Sequence, residues 1–135
     1  MNTSVAAPRL AFNVLSILRI FTGLTLLEHG TAKLLGFPAV PAFANLHLES
    51  LAGAAGSIEL VGGILFTIGL FTRPVAFILS GFTAVAYFMV HASKNFYPVL
   101  NGGELAAVYS FIFLYFVFAG AGPWSLDALR SNKAV

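Results

Sequence analysis

The sequence predicts an all-α integral membrane protein, a four-helix bundle with both termini in the cytoplasm, and three observations lead there. Only 9% of the residues are charged, against roughly a quarter in soluble domains. The mean hydropathy is +0.90. The apolar residues gather into four stretches separated by connections that contain Pro or Gly. The 135 residues hold four spans of ~20 residues as one domain over 1–135, with no room for a separate soluble domain.

The first span runs over 10–35. Residues 1–9 (MNTSVAAPR) are small and polar with one Arg, and the apolar stretch after them is too long for a signal sequence, so it reads as a retained span with an uncleaved N-terminus. Within it, Arg19, Glu28, His29 and Lys33 interrupt an otherwise apolar helix. Helical spacing puts Arg19, Gly23, Leu26, Gly30 and Lys33 on one polar, small-residue stripe, with Glu28 off it. Ionisable groups at such depth face protein or a wet cavity and are functional candidates by default. Gly36 and Pro38 end the helix, and the apolar loop after it fits a short interfacial helix.

The second span, 51–71, is rich in small residues that let helices approach closely, and its single charge, Glu59, shares a face with Gly56, Gly63 and Phe66. Thr72, Arg73 and Pro74 form a tight turn into the third span, 74–91, so these two form an antiparallel hairpin. Tyr87, His91 and Lys94 cluster at its far end. Asn101-Gly102-Gly103-Glu104 opens the fourth span, 103–119, whose many aromatic residues read as lipid-facing and packing surface. Gly120, Gly122 and Pro123 stop it; Trp124 suits the headgroup level. Ser125 is placed to cap a short interfacial helix over 126–132, with Asp127 in its first turn.

Arg9, Arg73, Arg130 and Lys133 lie on one side of the spans and Lys33 and Lys94 on the other, which places both termini inside. Nearly all ionisable residues within the spans then gather at the outer end of the bundle, with Arg19 deeper, toward the cytoplasmic half. His29, Lys33, Glu59, His91, Asn101 and Glu104 are the candidates for contact with a ligand; Arg19, Glu28, Arg73, Lys94 and Asp127 are read as structural or pairing residues. Two readings of the outer cluster stay open. It is a buried network in which Glu59 pairs with Lys33 or Lys94 to fix the packing, since an unpaired charge there costs about 2.5–3.5 kcal/mol. Or it lines a pocket for a small polar or quinone-like head. His29 and His91, on different helices at similar depth, meet the minimum for two haem ligands, but each is near a span end, where a histidine more often bonds to a carboxylate or water; haem is disfavoured. No metal site is expected: the Glu-x-x-His spacing of carboxylate-bridged metal pairs is missing, and His47 and Glu49 read as exposed loop residues.

Several function classes fall away. The seven Lys and Arg form no basic run, which argues against nucleic acid. The chain has no cysteine, so any thiol chemistry belongs to a partner. No nucleophile elbow or phosphate-cradling loop is present, and no catalytic residue is assigned.

Arg19, His29-Gly30-x-x-Lys33, Glu59-x-x-Gly62-Gly63, Gly69-x-x-Thr72-Arg73, Asn101-Gly102-Gly103-Glu104 and Gly120-x-Gly122-x-x-Ser125-x-Asp127, in this order and spacing, resemble the DoxX family of bacterial four-helix membrane proteins. The resemblance implies a multi-pass protein of the bacterial cytoplasmic membrane. It also implies a link to quinone-coupled electron transfer, quinone or catechol detoxification, or complexes that handle thiol and oxidative stress. On this basis the chain is expected to act as a small subunit of a quinone-linked redox or detoxification system, with quinone as its ligand and a soluble or membrane redox protein as its partner, in contact with membrane lipid and compatible with a homo-oligomer. Its rivals are a scaffold that recruits a soluble enzyme through Arg73 and the tail, and a small-solute or proton carrier, which the sparse polar content of the inner half disfavours.

Overall fold

The computed structural model describes residues 3–131, and side chains from residue 8 onward; Lys133, counted above toward orientation, lies outside the described residues. Among the described residues all regular structure is helical: α1 (Thr3–Leu34), α2 (Leu51–Ile68), α3 (Thr72–Ala86), α4 (Pro98–Asn101), α5 (Glu104–Ala119) and α6 (Leu126–Ser131), with a π-helical turn over Tyr87–Ala92. Among the described residues three stretches are long and apolar enough to cross a membrane: Pro8–Leu34, Leu51–Ile68 and Thr72–Ala92. The apolar α5 has 16 residues, or about 24 Å at 1.5 Å per residue, shorter than a ~30 Å hydrocarbon core. Gly103 and Gly120 bound it.

The contacts divide the chain into two compact units. One holds the chain up to Phe71 together with the segment from Ala121 on; the other is Thr72–Gly120. In the first, α1 and α2 pack antiparallel along a seam of glycines. A Cβ on Gly30 would lie 2.5 Å from the Leu60 nitrogen, and one on Gly63 would lie 2.8 Å from the Leu27 Cα. Gly23 likewise faces Thr67, and Gly56 faces Lys33. Lipid gives helices no hydrophobic reason to associate, so this close backbone contact is the source of attraction. The stripe expected on α1 is the buried one: Arg19, Gly23, Leu26 and Gly30 are buried and Lys33 half-buried, while Glu28 is exposed.

Helix α2 ends at Ile68, three residues before the expected boundary, because Gly69 takes the left-handed conformation (φ 68°) and its N–H turns back to the Phe66 carbonyl. The loop after α1 contains one 3₁₀ turn, Pro41–Phe43, in place of the expected interfacial helix. The C-terminal segment returns to α1. Gly122 meets Ser16, the Trp124 N–H donates to Ser16 Oγ at 3.2 Å, and the Ser125 hydroxyl caps α6 by accepting from the Ala128 N–H.

In the second unit α3 packs on α5, and Ser80 and Ser110 bond across the pair in both directions: each hydroxyl donates to the other residue's carbonyl, at 2.9 and 3.1 Å. Arg73, in the first turn of α3, donates to the Val117 carbonyl near the C-terminal end of α5 (3.0 Å), where carbonyls lack helical partners. Phe77, Phe111 and Phe118 are exposed, as lipid-facing rings are, whereas Tyr109, Phe113 and Phe116 of the same aromatic run are buried.

Candidate functional site

Arg19 is fully buried, and its guanidinium gathers backbone carbonyls. Nε donates to Ala121 at 2.8 Å; Nη1 donates to Phe66 at 2.8 Å and Thr67 at 2.6 Å; Nη2 donates to Trp124. Phe66 and Thr67 belong to the last turn of α2, whose carbonyls carry the negative end of the helix dipole. A rigid fork with five N–H groups suits this set, and Lys could not reproduce it. Arg19 therefore lies level with the end of α2 and joins three pieces of chain. Asp127 completes the join: its Oδ1 accepts the Phe71 N–H at 2.9 Å, and its own N–H donates to the Gly69 carbonyl.

At the opposite end of α1, Lys33 Nζ lies 2.7 Å from both carboxylate oxygens of Glu59. Their side chains are 13% and 9% exposed, so water screens the pair weakly. The absence of a side chain at Gly56 lets the Lys33 stem lie against α2, and the ammonium sits 5.6 Å from the centroid of the Phe43 ring. Of the two partners considered for Glu59, the structure selects Lys33; Lys94 is exposed. His29 is half-buried and is not joined to this pair by a hydrogen bond among the described residues.

The second unit holds a different cluster, at the π-helical turn. His91 Nδ1 is 3.1 Å from the Asn101 carbonyl oxygen. A carbonyl only accepts, so Nδ1 is the donor in this bond and Nε2 takes no part in it. The Tyr87 ring stacks on the imidazole, 6.5 Å between centroids at 24°. Asn101 is 4% exposed and all its amide atoms are used: Nδ2 donates to the Asn95 carbonyl (2.9 Å) and the Tyr87 hydroxyl (3.3 Å), while Oδ1 accepts the Gly103 N–H (2.7 Å).

Two expectations change here. Asn101 closes α4 and does not open the next helix; Gly102, at φ 70°, makes the turn, and α5 starts at Glu104. The end of the third span is not a continued α-helix, because the π turn widens the backbone just where Gly103 must fit: a Cβ there would lie 2.7 Å from the His91 Cβ. Glu104 is exposed in the first turn of α5, the position a helix dipole favours for an acid. Sequence reasoning missed Phe43, which is one aromatic residue in a loop without periodicity. It also missed Ser16, although Ser16 stands three residues before Arg19 on the same stripe and was open to discovery by spacing.

The DoxX family profile matches residues 14–92. The chain belongs to the DoxX family. This DoxX protein is similar to an uncharacterized protein of Haemophilus influenzae (strain ATCC 51907 / DSM 11121 / KW20 / Rd), with 49% identity over 117 residues that cover 84% of the chain and 87% of the relative. It is also similar to a second uncharacterized protein of the same organism, with 32% identity over 129 residues that cover 85% and 82%. No solved structure matches it. The matched stretch contains Arg19, the Lys33–Glu59 pair, Arg73 and His91, whereas Asn101, Glu104 and Asp127 of this DoxX protein lie beyond it.

Proposed function

We propose that this DoxX protein is a small subunit of a quinone-linked redox or detoxification system in the bacterial cytoplasmic membrane, and that His91 contacts the polar head of a quinone-type ligand. The observation that carries this reading is the orientation of the imidazole. Its Nδ1–H is held by the Asn101 carbonyl, which leaves Nε2 of a half-buried ring as an acceptor for a quinol O–H. Asn101 becomes a positioning residue, because its amide is already spent on the turn. With Arg9 and Arg73 on the cytoplasmic side, the His91 end of the third span faces outward. The chain has no cysteine, so a redox partner protein supplies any thiol chemistry.

The test is a titration of the purified protein, under reducing conditions, with a soluble quinol analogue that carries the O–H donor, comparing wild type with His91→Asn. The Asn amide keeps a donor near the Nδ1 position and removes Nε2. Affinity is expected to fall roughly tenfold, the worth of one hydrogen bond of ~1.4 kcal/mol; unchanged affinity would defeat the reading. A membrane scaffold is the second reading. It draws support from the way Arg19, Lys33 and Glu59 are taken up by bonds within the chain, which fix helices and leave those groups little capacity for a ligand.

A further inference from the structure

The turn between α2 and the third span joins two helices long and apolar enough to cross a membrane. The 18 residues of α2 reach about 27 Å and the 21 of Thr72–Ala92 about 31 Å, each close to the ~30 Å core, so the connection between them belongs at headgroup level. Phe71 lies in that connection, exposed, with φ 52° and its N–H held by Asp127. The guanidinium carbon of Arg130, on α6, stands 4.8 Å from the centroid of the Phe71 ring. Arg130 is itself exposed, and among the described residues no hydrogen bond or ion pair engages its N–H groups. Leu129, beside Arg130 in the chain, is 57% exposed; Trp124, on the segment that leads into α6, is 52% exposed, and its carbonyl is held by Arg19.

We propose that Arg130, lying over the Phe71 ring on the exposed C-terminal segment that also carries Trp124 and Leu129, is a binding site for the phosphate of an anionic phospholipid in the leaflet at this boundary. A guanidinium lying on an aromatic face still presents N–H groups at its edge, and a fork of donors matches two phosphate oxygens. The exposed indole and leucine are the surface that headgroup and upper acyl chain cover. A surface made only to meet lipid tails has no use for a cation. A soluble acidic protein would have to approach a site seated at headgroup level.

Trp124 is the single tryptophan of the chain and, on the segment that leads into α6, reports lipid contact of this segment. Its emission and its quenching by acrylamide are measured on the full chain in phosphatidylcholine vesicles and in vesicles that also contain phosphatidylglycerol. Anionic lipid is expected to shift wild-type emission to the blue and lower its quenching. The exposed substitution Arg130→Gln is expected to abolish that difference while emission in phosphatidylcholine alone stays as in wild type. The proposal is overturned if wild type behaves alike in both vesicles or if Arg130→Gln retains the difference. It is overturned too if inorganic phosphate added to phosphatidylcholine vesicles produces the same shift, which marks a free-anion site. Free quenching of Trp124 in both vesicles also overturns it and gives the face to a soluble partner.

Discussion

Lys33 donates to both carboxylate oxygens of Glu59 at 2.7 Å, in a place where neither charge has much water. Removing one partner strands the other. Glu59→Leu alone should destabilise the protein by roughly 3–5 kcal/mol, whereas the double variant Lys33→Met with Glu59→Leu should recover most of that loss. Thermal unfolding in detergent, run as a double-mutant cycle, reads the difference; additive losses would mean that the two groups do not act as a pair.

Arg19 makes a second prediction possible. Arg19→Met removes the side-chain donor from the carbonyls of Thr67, Ala121 and Trp124, at about 1–3 kcal/mol for each acceptor that finds no other, while the Phe66 carbonyl keeps the Gly69 N–H. The C-terminal segment loses two of its ties to α1 and should become the first site cut in limited proteolysis. Equal resistance in wild type and variant would show that Ser16 and Asp127 hold the segment alone.

Much of this arrangement was readable from the sequence. The helical stripe through Arg19, Gly23, Leu26, Gly30 and Lys33 and the face holding Gly56, Glu59, Gly63 and Phe66 are the surfaces that meet, because a 3.6-residue period fixes which side chains share a face whatever the tertiary detail. What periodicity cannot carry is the pairing of groups far apart in the chain. The choice of Lys33 over Lys94 for Glu59 depends on which helix is adjacent. The role of Arg19 depends on carbonyls, which every residue has and no composition reveals. Asn101-Gly102-Gly103 looked like a helix start because Gly after Asn signals a turn without saying which helix it closes; the π turn left no mark in residue types at all.

The glycines separate contact from chance. Gly63→Leu drives a side chain into the Leu27 backbone and should abolish the packing of α1 on α2, since the neighbour is main chain and cannot move aside. Gly81, by contrast, has nothing within 4 Å of an added Cβ, so Gly81→Ala should be tolerated and should stabilise α3 by up to about 1 kcal/mol through helix propensity. Helical content and melting temperature of the two variants, measured side by side, check the contrast; equal effects would contradict the seam.

Asn101→Ala removes the bonds to Asn95, Tyr87 and Gly103 together and frees the backbone that orients His91. Stability should fall by roughly 1–3 kcal/mol, and quinol-analogue affinity should fall with it although Asn101 touches no ligand. A variant that loses stability yet binds as wild type would separate the turn from the site.

The most direct measurement on the central claim is mass spectrometry of the organic extract of purified protein, wild type beside His91→Asn, together with an absorption spectrum. The account predicts a quinone in near-stoichiometric amount with wild type and much less with the variant. An extract holding lipid alone, under a spectrum of aromatic side chains only, would contradict quinone binding and leave the scaffold reading in its place.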